Sequence, residues 1–221
     1  MSHKVIILGG VGNGTVIAQA ILDANRRGDD ALEVAGYFND RLPIGTDIEG
    51  YPVLAEVSRK NVIKYSSMGY KFIYTIYRID GNVERLQLFD DLGFNDQNLA
   101  TFIHPTAYVA PDVKIAPGVV VMPYAMISSA AILGVANIIM TGATIGHNTK
   151  MDRCCHVASQ AVLGAYLEIK KGVHIGVNSC TEANLTIGEY ATLGMGSVLT
   201  KNIGDREIWV GNPAKFHRMA K

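Results

Sequence analysis

His147 stands in Thr144-Ile-Gly-His-Asn148, and a neutral imidazole there can take a proton from an attacking nucleophile, because histidine titrates near working pH. A solvated corner histidine is the alternative reading of the same residue. His156 follows nine residues later in Cys154-Cys-His-Val157, and His174 lies eighteen beyond that. Near the start, Gly9-Gly-Val-Gly-Asn-Gly14 could turn backbone N–H groups at a helix start towards a diphosphate. The dinucleotide pattern G-x-G-x-x-G fails in Gly10-Val-Gly12-Asn-Gly14-Thr15 at its third glycine, which argues against NAD. Asn39 and Asp40 follow an aliphatic run, where they end a strand or meet a ligand. At the tail, Lys201, Arg206, Lys215 and Arg218 surround Trp209 and Gly211-Asn-Pro-Ala-Lys215. Such cations are either solvated or placed for phosphates.

Two kinds of element must position these groups. From Lys4 to about Phe102, short aliphatic runs alternate with helical patterns, as in a small parallel α/β domain. Strands are predicted at Val5 to Leu8, Glu33 to Phe38 and Phe72 to Tyr77. A helix carrying Val16, Ile17, Ala20, Ile21 and Ala24 on one face follows the glycines. Further helices are predicted near Leu54 to Ser66 and Gly81 to Leu92, with a loop from Pro43 to Pro52.

From Ile103 an aliphatic residue recurs every six positions, through Ile127, Ile145 and Leu163 to Leu199, and only Thr181 breaks the series. Hexads of this kind build a parallel β-helix, with one hexad per side and eighteen residues per three-sided coil. His156 and His174 then stack one coil apart, about 5 Å by strand spacing, with His174 expected on the solvent side. Ala165 lies one coil beyond His147. The domain limits read as 1–102, 103–204 and a terminal cap over 205–221, as solenoids require.

Composition agrees with this division. Of 221 residues, 48% are hydrophobic and only 8% aromatic, while 23 glycines suit a chain of many corners. Twenty Lys and Arg balance twenty Asp and Glu, so no general footprint for nucleic acid or an anionic membrane exists. Ile115 to Thr149 holds no charged side chain, but prolines and glycines interrupt it and the six-residue period accounts for it without lipid. Cys154, Cys155 and Cys180 show neither metal nor redox spacing, and with no signal-peptide layout a reducing cytoplasm is expected.

The hexads, the glycine-rich first turn, the end of the second strand and the terminal Val210-Gly-Asn-Pro-Ala-Lys215 together resemble the hexapeptide-repeat acyltransferases. Within them the chain is similar to the bacterial nucleotide-sugar N-acetyltransferases related to the sialic acid O-acetyltransferase group. The resemblance implies a left-handed parallel β-helix behind a Rossmann-like domain. It also implies a homotrimer with sites between subunits, and acetyl transfer from acetyl-CoA to the 4-amino group of a nucleotide-linked 4-amino-4,6-dideoxyhexose for surface glycans.

Carried onto this sequence, the resemblance makes His147 the base, in Gly142-Ala-Thr-Ile-Gly-His147, and the Ala165 N–H the oxyanion donor. His156 binds or orients the substrate or acetyl group. Gly9, Gly12, Asn13, Gly14, Asn39 and Asp40 hold the sugar nucleotide. Gly164, Ala165 and Ala183 leave a groove for pantetheine, and Lys201, Gly211, Pro213 and Lys215 border coenzyme A. Three departures stand out: Asn148 where relatives carry an acidic residue, Asn13 where many carry histidine, and Ile76-Tyr-Arg78-Ile in place of a Gly-Asn/Asp element. They leave open transfer to another sugar hydroxyl or amine, a longer acyl chain, or a binding protein without turnover. A zinc carbonic anhydrase on the same prism needs three convergent histidines, which this spacing does not provide, and no metal is expected.

Overall fold

The computed structural model describes residues 2–29 and 31–221. Its first half alternates β1 (His3–Leu8), α1 (Asn13–Arg26), β2 (Leu32–Phe38), β3 (Asp47–Ile48), β4 (Tyr51–Ala55), α2 (Arg59–Ser67), β5 (Lys71–Tyr74) and α3 (Val83–Leu92). Val5 to Leu8 is aliphatic on both faces because β1 lies inside a sheet of order β3-β4-β2-β1-β5. β2 and β5 flank it in parallel, β4 runs parallel to β2, and β3 folds back antiparallel on β4. α1 buries Ile17, Ala18, Ile21 and Ala24 in one cluster with Val5 and Ile7.

The segment expected as helix from Leu54 divides differently. Tyr51 to Ala55 is strand, and α2 starts only at Arg59, behind Ser58, whose hydroxyl accepts from the Asn61 N–H at 3.3 Å. The expected loop before it contains a hairpin, because Glu49 and Gly50 both take positive φ, 50° and 92°, and reverse the chain in two residues. β5 also stops short of Tyr77. The Thr75 hydroxyl donates to the Leu8 carbonyl at 2.7 Å, and the chain then leaves the sheet until α3 begins at Val83.

From Phe102 the chain forms a two-residue strand every six residues, seventeen among the described residues, from β6 (Phe102–Ile103) to β22 (Val198–Leu199). The second residue of each is the hexad's aliphatic position, and each strand pairs in parallel with the one eighteen residues on, as Ile127, Ile145 and Leu163 do. These side chains fill the interior, where Val121, Ile127, Ile145, Val157 and Ile175 are fully buried. Three residues past each from Ile115 to Leu193, the corner takes positive φ, a slot filled by Gly142 (68°) and Asn148 (59°) among others. Thr181 breaks the apolar series because its hydroxyl accepts the Gly164 N–H at 2.9 Å, leaving Val162 and Cys180 as the paired residues of that rung.

The first residue of each strand points outward, and the three faces differ. One column, Phe102, Val120, Ile138, His156, His174 and Thr192, is buried, and its first three side chains join the α1 cluster. A second carries Lys114, Lys150 and Glu168, the last two paired at 2.9 Å. The third, Tyr108, Met126, Thr144, Val162, Cys180 and Val198, holds no charge, and its Tyr108, Met126 and Val162 are exposed. A hairpin of β23 (Glu207–Gly211) and β24 (Ala214–Met219) extends the covered face beyond Thr192 and Leu193. Trp209 and Ala214 close the end of the core. Among the described residues, no helix is long and apolar enough to cross a membrane.

Candidate active site

At the carboxyl ends of β1, β2 and β5 lies a cavity of about 850 Å³, lined by Gly9 to Gly14, Phe38 to Leu42 and Thr75 to Asp80. A side chain at Gly10 would collide with the Asn39 amide, so glycine lets the two loops close on each other. Gly12, at φ 109°, precedes α1 without any side-chain cap, which leaves the first helical N–H groups free for an anion. Asn39 is spent on the loop itself: its Nδ2 donates to the Gly9 carbonyl at 2.8 Å, and its Oδ1 accepts from Arg41 and Leu42 N–H. Asp40 accepts from the Val57 N–H at 2.7 Å and stays exposed at the rim.

Asn13 connects this cavity to the prism. Its Nδ2 lies 3.0 Å from His156 Nε2, which as acceptor must be unprotonated and puts the ring proton on Nδ1. The rings of His156 and His174 stack 5.1 Å apart, as one coil of separation requires, and Tyr77 lies parallel on His156 at 4.0 Å. His174 is therefore not on the solvent side: the α/β half covers that face and leaves the ring 6% exposed. Both Nδ1 atoms are buried without a partner among the described residues. Burial, and for His156 the repulsion that a protonated His174 would exert, hold the rings neutral, with pKa values down to about 3 and about 4. His156 meets the cavity only through Asn13 and Tyr77.

His147 is the opposite case. It projects from an exposed corner, its Nδ1 2.9 Å from Asn148 Oδ1 and its ring edge-on to Tyr166 at 5.0 Å. An amide oxygen there can only accept, so Nδ1 carries the proton and Nε2 keeps its lone pair outward. The corners stack closely enough that a side chain on Gly146 would strike the Gly164 carbonyl, which fixes the height of His147 against Ala165. The Ala165 N–H has no acceptor among the described residues. His147 does not line the cavity of its own chain.

No protein-family model matches the chain. A curated dTDP-3-amino-3,6-dideoxy-alpha-D-galactopyranose 3-N-acetyltransferase from Aneurinibacillus thermoaerophilus is 50% identical over 48 residues, 22% of this chain. That match spans a quarter of the relative's length. Two solved structures align along nearly everything. The acetyltransferase domain of PglB from Neisseria gonorrhoeae, in complex with acetyl coenzyme A, is 28% identical at a TM-score of 0.83, covering 98% of this chain and 100% of that one. PerB from Caulobacter crescentus, in complex with CoA and GDP-perosamine, is 26% identical at 0.81, covering 97% of each. Along almost its whole length the chain is therefore similar in sequence and fold to these acetyltransferases.

On the prism, the small residues at Gly164, Ala165 and Ala183 follow one another along the His147 edge, and Ala183 is exposed. Lys201, Gly211, Pro213 and Lys215 are all exposed, the last three at the turn between β23 and β24. Arg218 points elsewhere, pairing through both guanidinium nitrogens with Asp80 at 3.0 Å, so it ties the tail to the cavity loop. Neither neighbouring thiol is a nucleophile: burial pushes Cys154 up to about 12 and Cys155 further still. No group of three or more His, Cys, Asp or Glu able to hold a metal occurs among the described residues.

Sequence reasoning passed over Thr75, Arg41 and Arg85, all of which line the cavity. It noted Tyr77 and Arg78 only as departures. The signal for Tyr77 was available in retrospect, since a residue just past a parallel strand's carboxyl end faces the ligand crevice.

Proposed function

We propose that this protein moves acetyl from acetyl-CoA to the 4-amino group of a nucleotide-linked 4-amino-4,6-dideoxyhexose in surface glycan synthesis. One observation carries the reading: a single chain joins an uncapped glycine loop under a large cavity to an exposed, amide-held histidine on the prism. In full-length alignment it matches proteins whose structures hold acetyl-CoA, or CoA with GDP-perosamine.

His147 Nε2 takes the proton as the amine attacks the thioester carbonyl, and the Ala165 N–H stabilises the oxyanion that forms. Collapse expels coenzyme A as thiolate, which is reprotonated from the imidazolium. The glycine loop, held in shape by Asn39, seats the nucleotide end together with Asp40, His156 holds Asn13 in place, and Lys201 and the 211–215 turn border coenzyme A. The domains act as 1–102 for the nucleotide sugar, 103–204 for catalysis and 205–221 for the cap. The Rossmann-like character of the first and the left-handed coil of the second rest on the resemblance.

His147 and the cavity lie apart in one chain, and Tyr108, Met126 and Val162 of the uncharged column are exposed. We infer a homotrimer in which that column is buried and a neighbour's histidine completes each site. The cytoplasm, which supplies acetyl-CoA and keeps the three free thiols reduced, is its compartment. A second reading, transfer to a 3-amino group, is favoured by the name of the curated relative.

The test incubates the protein and His147→Ala with acetyl-CoA and UDP-, dTDP- or GDP-linked 4-amino and 3-amino sugars, following free thiol and product mass. Acetylation of one 4-amino sugar, severely reduced in the variant, is expected. Acetylation of a 3-amino sugar alone selects the second reading, and none at all ends both.

A further inference from the structure

Three loops line the cavity, and they are not held by the same half of the molecule. Gly9 to Gly14 and Asn39 to Leu42 lock each other through the Asn39 amide, and Asp40 accepts the Val57 N–H at 2.7 Å. The third loop leaves β5 at Thr75, whose N–H and hydroxyl both reach the Leu8 carbonyl. From Ile76 to Gly81, no backbone hydrogen bond returns it to the sheet among the described residues. What holds Ile79 and Asp80 comes from the prism and the tail. The Thr192 hydroxyl, on the covered prism face, donates to the Ile79 carbonyl at 2.6 Å. The Asp80 carboxylate accepts both guanidinium nitrogens of Arg218 at 3.0 Å and the Lys221 N–H at 3.1 Å. Gly81 follows at φ 69°, and a side chain on it would strike the Lys221 backbone oxygen, so the loop and the tail lie in direct contact.

Resting on the nucleotide-sugar reading above, we propose that Arg218, Asp80 and Thr192 are positioning residues: they hold the loop from Tyr77 to Asp80 as the third wall of the cavity, so that the sugar nucleotide binds against a wall set by the prism and the tail. A ligand that needs this wall in place binds more weakly by the fraction of molecules in which it has moved away. The fork of Arg218 fixes Asp80 in direction as well as distance. Its hydrogen bond also holds the Asp80 carboxyl below the usual carboxylate range, so the pair stays ionised at neutral pH with its charges balanced on each other. Without Arg218 the wall is freed, and Asp80 turns an unbalanced negative charge on a cavity meant for phosphates. Arg218 lies on β24, three residues beyond the 211–215 turn, so a role confined to the tail would disturb coenzyme A at least as much as the sugar nucleotide.

The experiment measures kcat and the KM of both substrates, acetyl-CoA and whichever nucleotide-linked amino sugar the protein acetylates, in the unaltered protein, Arg218→Ala, Arg218→Lys and Thr192→Val. A denaturant midpoint checks the fold of each, and calorimetry follows UDP, dTDP and GDP binding to the unaltered protein. Arg218→Ala should raise the sugar KM by roughly tenfold while kcat and the acetyl-CoA KM stay within about twofold. Arg218→Lys keeps the charge without the fork and should recover part of this, leaving a rise of about threefold. Thr192→Val keeps the shape and loses the hydroxyl, and it too should raise the sugar KM by about threefold, which reports on the wall should the alanine variant fold poorly. A sugar KM that stays within about twofold in both Arg218→Ala and Thr192→Val overturns the assignment. So does an equal rise in the acetyl-CoA KM, which would make the pair a support of the tail alone. Either result leaves acetyl transfer standing. Failure of every sugar to react, with none of the three diphosphates bound, overturns the functional reading and this assignment with it.

Discussion

His147 and His156 each face the side-chain amide of an asparagine, yet Asn148 holds one ring at an open corner and Asn13 holds the other 4% exposed between two halves of the molecule. The partner is chemically the same and the role is not. Asn148 presents its oxygen and leaves Nε2 free to take a proton, whereas Asn13 presents its nitrogen and occupies Nε2. Burial then keeps His156 neutral at any pH the cell reaches. A histidine becomes a base through what its second nitrogen can still reach.

The sharpest way to break this contrast is to remove each ring. His147→Ala should lower kcat by roughly 10²- to 10⁴-fold, the range of a lost general base, with stability unchanged within about 0.5 kcal/mol. Steady-state kinetics beside a denaturant midpoint reads both. A loss under about tenfold would make His147 a solvated corner residue after all.

The second contrast is in pH. Unfolded histidines bind protons near 6.5, while the folded His156 and His174 do so only near 3 and 4, so their contribution is complete above about pH 7 and falls as pH drops. Each ring should cost about 1.4 kcal/mol of stability by pH 5.5, and the two together about 3 kcal/mol. His174→Phe, which keeps a flat ring in the stack, should remove about half of that slope in urea titrations at pH 7.5 and 5.5. An unaltered slope would mean that the covered face opens to water.

Most of the architecture was legible because its cause is periodic. A knob every six residues fixes sides, coils and the stacking of His156 on His174 without knowledge of any contact. The burial of His174 was not legible, because which prism face the α/β half covers depends on α1 meeting Phe102, Val120 and Ile138, a contact far apart in sequence. For the same reason Asn13 could not be matched with His156, 143 residues away. The Glu49-Gly50 hairpin was missed for a local reason: glutamate rarely takes positive φ, so the dipeptide lacks the Asn-Gly or Asp-Gly signature. The corner position of His147 and the glycine turn into α1 were readable because each depends on a short local pattern.

Removing the amides should reproduce the contrast at smaller scale. Asn13→Ala strands the buried His156 Nε2 and should cost about 1–3 kcal/mol, whereas Asn148→Ala at an exposed corner should cost under about 1 kcal/mol, chiefly through its positive φ. Denaturant midpoints of the two variants decide it. Equal costs would show that His156 finds water where the structure places none of its own polar groups.

Asn148→Asp tests the open ring most finely. The corner's φ of 59° suits aspartate as it does asparagine, so the backbone should not object. A carboxylate would accept the same Nδ1 proton and add a negative charge that favours the imidazolium formed as the amine attacks. The acid limb of the kcat/KM profile should therefore move to higher pH, and plateau kcat should rise by up to roughly tenfold. On the proposed roles, the corresponding Asn13→Asp change should leave that limb where it was. If both substitutions shift the limb, or if only Asn13→Asp does, the buried histidine carries the proton and the assignment of roles between the two rings reverses.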